Sequence, residues 1–180
     1  NLRRLKMNKK DFILRTKIIK ESFKDERPIK CPTPCEIKKL DDNVHPGGDI
    51  FTTEDGDFID FEFQLNDFDE EELAKYVGFA ESLYEKHHKH VAIYLLCHHD
   101  IEVSVKEIEI TSEAEFTIKL ACSKFDPCHI ILETVKDKLK NNIPLESDDI
   151  DVVRILPVMC KKNERNYFRL ETLKILNQIQ

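Results

Sequence analysis

The chain has 180 residues, of which 41% are hydrophobic, enough for one domain with a substantial core. Its net charge of −7 excludes a protein that coats nucleic acid non-specifically, and no apolar run approaches the roughly 18 residues that cross a bilayer. No signal sequence is recognisable at the start. We therefore expect a single soluble domain spanning residues 1–180, located in the cytoplasm.

The charge is divided unevenly along the chain. Residues 1–40 contain 13 Lys/Arg and 5 Asp/Glu (+8), whereas residues 41–180 contain 15 and 30 (−15), which together give −7. A basic N-terminal helix and loop is the natural place for a local phosphate contact, and the solvated face of a surface helix explains the same pattern equally well.

The first predicted element is a helix that Asn8 caps and that runs to about Lys24. Three prolines then predict a loop or irregular extended segment over residues 25–35. A short strand is predicted over residues 36–40.

Six cysteines are scattered along the chain, which favours reduced thiols over a disulfide framework. Only Cys31 and Cys35 are close together, with the spacing of half a zinc site. His45 or the histidines of residues 87–90 would have to complete such a site, so an ordinary pair of thiols is the simpler interpretation.

Residues 48–64 predict two strands joined by a tight turn at Asp55 and Gly56. If these two residues form the loop, paired positions sum to 111, and Asp49 lies directly opposite Glu62. Gln64 shares the face of Glu62, because side chains on a strand repeat every second residue.

Two carboxylates facing each other on a sheet repel unless a cation lies between them. Oxygen-only ligands suit Mg²⁺ or Mn²⁺. The strand over residues 58–65 also alternates as any half-exposed strand does, so a solvated polar face is an equally good interpretation of the pattern.

A helix is predicted next, capped by Asn66 or Asp67 and ending near His87 and His88. The continuous apolar run over residues 91–97 predicts a strand buried on both faces, and hence a parallel strand–helix–strand crossover.

The remaining elements follow from periodicity. Alternating segments over residues 101–110 and 115–121 predict a hairpin or a pair of edge strands. Asp126 and Pro127 begin a helix that ends near Asn141.

The C-terminal part predicts a buried segment and then a helix. Residues 150–158 are apolar enough to be buried, and residues 166–180 form a closing helix. Four of its residues are predicted to share one side: Phe168, Leu173, Leu176 and Ile179.

Residues 48–97 resemble the PD-(D/E)XK nuclease superfamily, and most closely its recombination-promoting nuclease and transposase-like branch. The resemblance is carried by Asp49, by the segment 59–64 with its Glu62-x-Gln64 tripeptide, and by the helix and strand that follow. It implies an α/β restriction-endonuclease-like fold, with a central mixed β-sheet flanked by helices.

The resemblance also implies a Mg²⁺-dependent or Mn²⁺-dependent DNA endonuclease. Asp49, Glu62 and the backbone carbonyl of Phe63 would hold the metal, and Gln64 would position the attacking water. Glu21 is the best-placed additional carboxylate, and a homodimer would pair two active sites. The DNA-contacting residues implied by the basic segment are Lys9, Lys10, Arg15 and Lys17.

A second class of function competes with this one. A protein that retains the nuclease fold without turnover would bind or scaffold a partner. Glutamine at position 64, where the wider superfamily has lysine, lacks the positive charge that would stabilise a phosphoryl transition state, although it recurs in this branch.

Overall fold

The computed structural model describes residues 7–33, 49–105, 114–123 and 126–179. These residues form five strands and five α-helices in one chain order, with a short 3-10 turn at Lys162–Glu164. The elements are α1 (Lys9–Phe23), β1 (Ile29–Pro32), β2 (Asp49–Thr53), β3 (Phe58–Gln64), α2 (Glu70–His87), β4 (Val91–His98), β5 (Phe116–Ser123), α3 (Pro127–Lys140), α4 (Ser147–Met159) and α5 (Arg165–Gln178).

The chain divides into two compact units. One comprises residues 22–124 and contains the whole sheet and α2; the other comprises residues 1–21 and 125–180 and is helical. The sequence predicted a single domain, and that grouping stays a prediction. None of the helices in the described ranges is long and apolar enough to cross a membrane.

The sheet has the order β1-β2-β3-β4-β5 and is mixed. β1, β2 and β3 pair antiparallel, whereas β3, β4 and β5 pair parallel. Helix α2 joins β3 to β4, as a parallel connection requires. The predicted α/β class, with a central mixed sheet flanked by helices, is confirmed.

One face of the sheet packs against α2 through apolar side chains of β3, β4 and β5. Phe79, Ala80 and Leu83 of α2 are fully buried there, beside Ile93 and Leu95 of β4. Burial of these side chains is the main stabilising term for this unit, at roughly 1.5–3 kcal/mol for each large one.

The other face is covered by an aromatic group. Phe23, the last residue of α1, stacks on Tyr94 at 4.7 Å between ring centroids and meets Phe61 edge-on at 6.3 Å. The hydroxyl of Tyr94 donates to Asp25 Oδ2 at 2.7 Å. β4 is therefore buried on both faces, as its continuous apolar sequence predicted.

Helix caps explain where three helices begin. Asn8 caps α1 by accepting from the Asp11 amide at 2.8 Å. Asp126 caps α3, as predicted. For α2, however, Asp69 accepts from the Glu72 amide at 2.9 Å. The cap is therefore two or three residues later than the predicted Asp67 or Asn66, because three acidic residues follow Asp69 and stabilise the first turn.

The structure gives definite form to segments whose type the sequence left open. β1 lies within the segment predicted to be a loop or irregular extended chain, and Pro32 ends this edge strand without removing a ladder bond from the interior of the sheet. Residues 101–105 contribute only a bridge between Phe68 and Val103, and β5 runs parallel to β4. The apolar run at 150–158 is helix α4, with Pro157 in its last turn.

The face of α5 that is buried differs from the predicted face. Leu173 is 56% exposed, whereas Glu171, Thr172 and Ile175 are buried with Phe168. Thr172 donates to the Val153 carbonyl at 3.1 Å, and Glu171 pairs with Lys136 at 2.6 Å, so polar contacts decide the orientation of this helix. The predicted strand over residues 36–40 lies outside the described residues, as do Cys35 and His45.

A buried ion cluster holds the helical unit together. The ammonium of Lys17 lies 2.6 Å from Asp149, which is fully buried, and 3.2 Å from Glu21. Lys138 lies 3.0 Å from both of these acids. Burial opposes ionisation of Asp149, but the bonds from Lys17, the Glu146 amide and Lys138 outweigh it, so the pKa of Asp149 lies below its ordinary value.

Removing one member of this cluster strands the others as uncompensated buried charges. We expect Asp149→Asn to lower the free energy of unfolding by about 3 kcal/mol, since breaking a buried ion pair on one side is strongly destabilising. Asp151→Asn is the matched control, because Asp151 is 63% exposed and pairs only with Arg154 at the surface. Equal stability of the two variants in denaturant titrations would show that the cluster is not a stabilising element.

Candidate functional site

The turn between β2 and β3 is longer than predicted. Thr53 donates its amide to the Asp57 carbonyl at 2.9 Å, so residues 54–56 form a three-residue loop. Gly56 adopts φ of +86°, the left-handed conformation that closes such a loop. Paired positions therefore sum to 110, with Asp49 opposite Phe61 and Ile50 opposite Asp60.

This shift by one residue corrects the predicted pairing of Asp49 with Glu62. Because side chains of adjacent residues on a strand point to opposite faces, Asp49 shares the face of its partner Phe61, and Glu62 belongs to the opposite face. Asp60, Glu62 and Gln64 lie together on the face that meets α2. The two acids that lie side by side are thus Asp60 and Glu62, which are two residues apart on β3.

Asp60 is fully buried and hydrogen-bonds Glu62. Burial raises the pKa of Glu62 to about 7; the hydrogen bond with Asp60 opposes this, and the negative charges of Asp49 and Glu72 add to it. Two carboxyl groups form a hydrogen bond only when they share a proton. Near neutral pH the pair is therefore poised between holding and releasing that proton.

Gln64 is buried, and both ends of its amide are bonded within the protein. Its Oε1 accepts from the hydroxyl of Tyr76 at 2.9 Å, and its Nε2 donates to the Asn66 carbonyl at 3.0 Å and to Glu72 at 3.2 Å. Burial raises the pKa of Tyr76, and the charges of Glu62, Asp60 and Glu72 raise it further. The tyrosine therefore stays a hydrogen-bond donor, and it ties α2 to the end of β3.

Lys75 of α2 lies beside these acids. Lys75 donates to Glu72 Oε1 at 2.8 Å, and this bond is the main reason that the pKa of Glu72 lies below its ordinary value. Its ammonium is half exposed. Among the described residues, the ligand atoms at the end of β3 are therefore carboxylate oxygens beside Lys75, which is the chemistry that suits a hard divalent cation.

Within the part of the chain that the structure describes, the hairpin acids do not form a preorganised metal site. Within the described residues, three groups bring ligand atoms of three acids or histidines within 4.8 Å of one another, and none of these groups includes a hairpin residue. A cation at this place would draw on Glu62 and its neighbours together with backbone carbonyls or water. The ligand atoms that these residues offer are oxygens, which such an ion prefers.

The other residues predicted for the site are distributed as follows. Glu21 is bonded to Lys138 and Lys17 in the helical unit, where its pKa is lowered by those bonds despite burial. Lys17 is 3% exposed and its ammonium is surrounded by acids, which corrects its prediction as a DNA contact. Lys9 and Lys10 are exposed.

Arg15 and Phe63 complete the set. Arg15 is half-buried and lies 3.7 Å from Asp11, one turn earlier on α1. The Phe63 side chain is 39% exposed and meets the ring of Phe61 edge-on, on the face away from Glu62. Only its backbone carbonyl was predicted to act.

Sequence reasoning missed three members of the cluster, namely Asp60, Glu72 and Tyr76. Asp60 carried a signal, since it alternates with Glu62 and Gln64 on one face. Glu72 and Tyr76 are spaced i, i+4 on α2 and so lie on one side of that helix, but only the tertiary structure brings that side to Gln64.

Comparison with known proteins gives one structural likeness. No protein-family model matches the chain, and no curated protein matches it. The crystal structure of a repair endonuclease from Pyrococcus abyssi is similar with a TM-score of 0.40 and 15% identity, covering 67% of this chain and 49% of that one. The chain thus spans about half the length of that protein, and a likeness of this degree is no evidence for a shared activity.

The raised pKa of Glu62 predicts an unusual pH dependence of stability. A glutamate titrates near 4.5 when unfolded and here near 7, so the folded state binds more protons in between, and its stability falls as pH rises through that window. We expect Glu62→Gln to gain roughly 3 kcal/mol relative to the natural protein between pH 4.5 and pH 8.

Urea unfolding at several pH values measures this difference. Glu71→Gln is the matched control, because Glu71 is 82% exposed on the first turn of α2. If the stability curves of Glu62→Gln and the natural protein stay parallel across this range, the carboxyl pair does not share a proton as argued.

Proposed function

We propose that the protein is a metal-dependent nuclease that hydrolyses phosphodiester bonds of DNA, with its active site at the end of β3. The observation that carries the proposal is the Asp60–Glu62 pair, in which burial and neighbouring acids raise the pKa of Glu62 to about 7. Perturbed carboxyl groups of this kind are enriched at active sites. The likeness of residues 48–97 to the PD-(D/E)XK superfamily supports the same assignment.

Glu62 is the principal proposed ligand of Mg²⁺ or Mn²⁺. Asp49 lies opposite Phe61 on the other face of the hairpin, but its charge acts on Glu62. Asp49 and the Phe63 carbonyl are the further oxygen ligands that the resemblance implies. Asp60 would take the shared proton or release it when Glu62 binds the ion. When bound, the ion supplies charge neutralisation at the phosphate and a water of lowered pKa.

Gln64 acts in this proposal as a positioning residue. Its amide is occupied by Tyr76, Asn66 and Glu72, so direct contact with the attacking water, as first expected, would need these bonds to break. What the bonds support instead is a fixed spacing between β3 and α2, which keeps Glu62 in place.

DNA contacts are proposed from the lysines that remain accessible. Lys75 is half exposed and lies one residue before Tyr76 on α2, beside the acid cluster. Lys9 and Lys10 are exposed on α1, and Arg15 is half-buried on the same helix, 3.7 Å from Asp11. The predicted homodimer stays a prediction.

A non-catalytic protein with the same fold is the second candidate. The position of Asp49 opposite Phe61 favours it, because alternation separates this acid from Glu62. Such a protein would bind DNA or a partner protein without turnover.

Plasmid cleavage in Mg²⁺ or Mn²⁺ distinguishes the two. We expect nicking or cutting that Glu62→Gln and Asp49→Asn each reduce by roughly 100-fold or more, as expected for groups that stabilise a transition state. Glu71→Gln should retain the natural rate, because it changes an exposed carboxylate on the first turn of α2.

Two results would count against the nuclease. Cleavage that survives in Glu62→Gln would contradict the assigned site. Absence of cleavage in the natural protein, together with no heat of Mg²⁺ or Mn²⁺ binding at millimolar concentration, would favour the non-catalytic protein.

A further inference from the structure

A second group of metal-ligating side chains lies within the helical unit. Asp126 precedes α3, His129 belongs to its first turn, and Glu164 lies just before α5. The ligand atoms of these three residues all fall within 4.8 Å of one another, and each residue is partly buried. Their types differ from those at the end of β3, because an imidazole nitrogen joins two carboxylates.

The two carboxylates are each held in place through one oxygen. Asp126 Oδ1 accepts from the amides of Cys128 and His129 at 3.0 and 3.1 Å, while its Oδ2 lies 3.9 Å from Lys161. Glu164 Oε1 lies 2.8 Å from His129 Nε2. The helix cap and the loop before α5 thus preorganise the three groups.

One carboxylate oxygen of the group is unsatisfied. Glu164 Oε2 is buried and makes no hydrogen bond within the described part of the chain. A buried carboxylate oxygen without a partner is unfavourable by roughly 1–3 kcal/mol or more. An ion pair between His129 and Glu164 satisfies only Oε1, whereas a cation bound between the three residues would satisfy the second oxygen as well.

The imidazole of His129 indicates which ion the group suits. It adds a nitrogen ligand to two carboxylates, and imidazole suits zinc and other transition metals, whereas magnesium prefers oxygen ligands.

The ring of His129 is fixed in orientation. It stacks on Tyr167 at 5.8 Å and packs at 4.8 Å on Phe168, which is fully buried. A ligating histidine needs its ring plane held so that one nitrogen is directed at the ion. The aromatic contacts provide this support from α5.

We propose that Asp126, His129 and Glu164 form a site for a divalent transition metal, selective for Zn²⁺ over Mg²⁺. The site binds one ion per chain and links the start of α3 to the start of α5. It is separate in its residues and its ion preference from the carboxylate site at the end of β3.

Metal content and affinity of the full chain test this proposal. The protein is stripped with a chelator and titrated with Zn²⁺ against a chromogenic competitor, in the presence and absence of millimolar Mg²⁺. We expect one equivalent of Zn²⁺ that Mg²⁺ does not displace, and a rise in Tm with Zn²⁺, because binding to the folded state alone stabilises it. Glu164→Gln and His129→Gln should each weaken binding by about 10-fold or more.

Two control variants distinguish this site from others. His98→Gln alters the exposed group of His98, His99 and Asp100, and Glu62→Gln alters the β3 site; both should bind Zn²⁺ as the natural protein does. Because Glu164→Gln preserves shape, it serves if His129→Gln fails to fold. No Zn²⁺ binding at tens of micromolar, displacement by Mg²⁺, or loss of binding in His98→Gln rather than in Glu164→Gln would overturn the proposal.

Discussion

The three-residue turn at Gly56 is the constraint on which the candidate active site depends. A left-handed residue at the end of the loop adds one position to the hairpin, and this addition moves every β2 partner by one residue. With this shift Ile50 rather than Phe51 lies opposite Asp60, and Asp49 lies opposite Phe61. On the face that α2 covers, Asp60, Glu62 and Gln64 of β3 therefore lie beside apolar neighbours such as Ile50.

Placing these polar groups beneath a helix is unfavourable, and the structure offsets this with hydrogen bonds that differ in kind. Gln64 is satisfied by Tyr76, Glu72 and a backbone carbonyl, so it stabilises the packing of α2. Asp60 and Glu62 are hydrogen-bonded to each other, which requires a shared proton. Burying this carboxyl pair lowers the stability of the fold and holds Glu62 at a pKa that it would not have in water. Such a loss of stability is typical of functional sites.

The helical unit shows how the same charged residue types serve a structural purpose. Lys17, Glu21, Lys138 and Asp149 alternate in sign and are bonded to one another, so their burial is compensated. Around Asp126, His129 and Glu164 the compensation is incomplete. This contrast between satisfied and unsatisfied charges, rather than the number of acids, separates a stabilising cluster from a candidate ligand site.

The sequence by itself determined the helices at α1, α2 and α3, the buried strand β4 and the parallel crossover, because these depend on caps and periodicity that are local. It also identified Glu62 and Gln64 as neighbours on one face. Only the tertiary structure decided the hairpin register, the burial of Lys17 and Glu21, the face of α5 and the meeting of Tyr76 with Gln64. Those features depend on the conformation of one turn and on contacts between residues far apart in the chain. The alternative arrangements differ by one residue of register or by one ion pair, and a local sequence pattern does not distinguish between them.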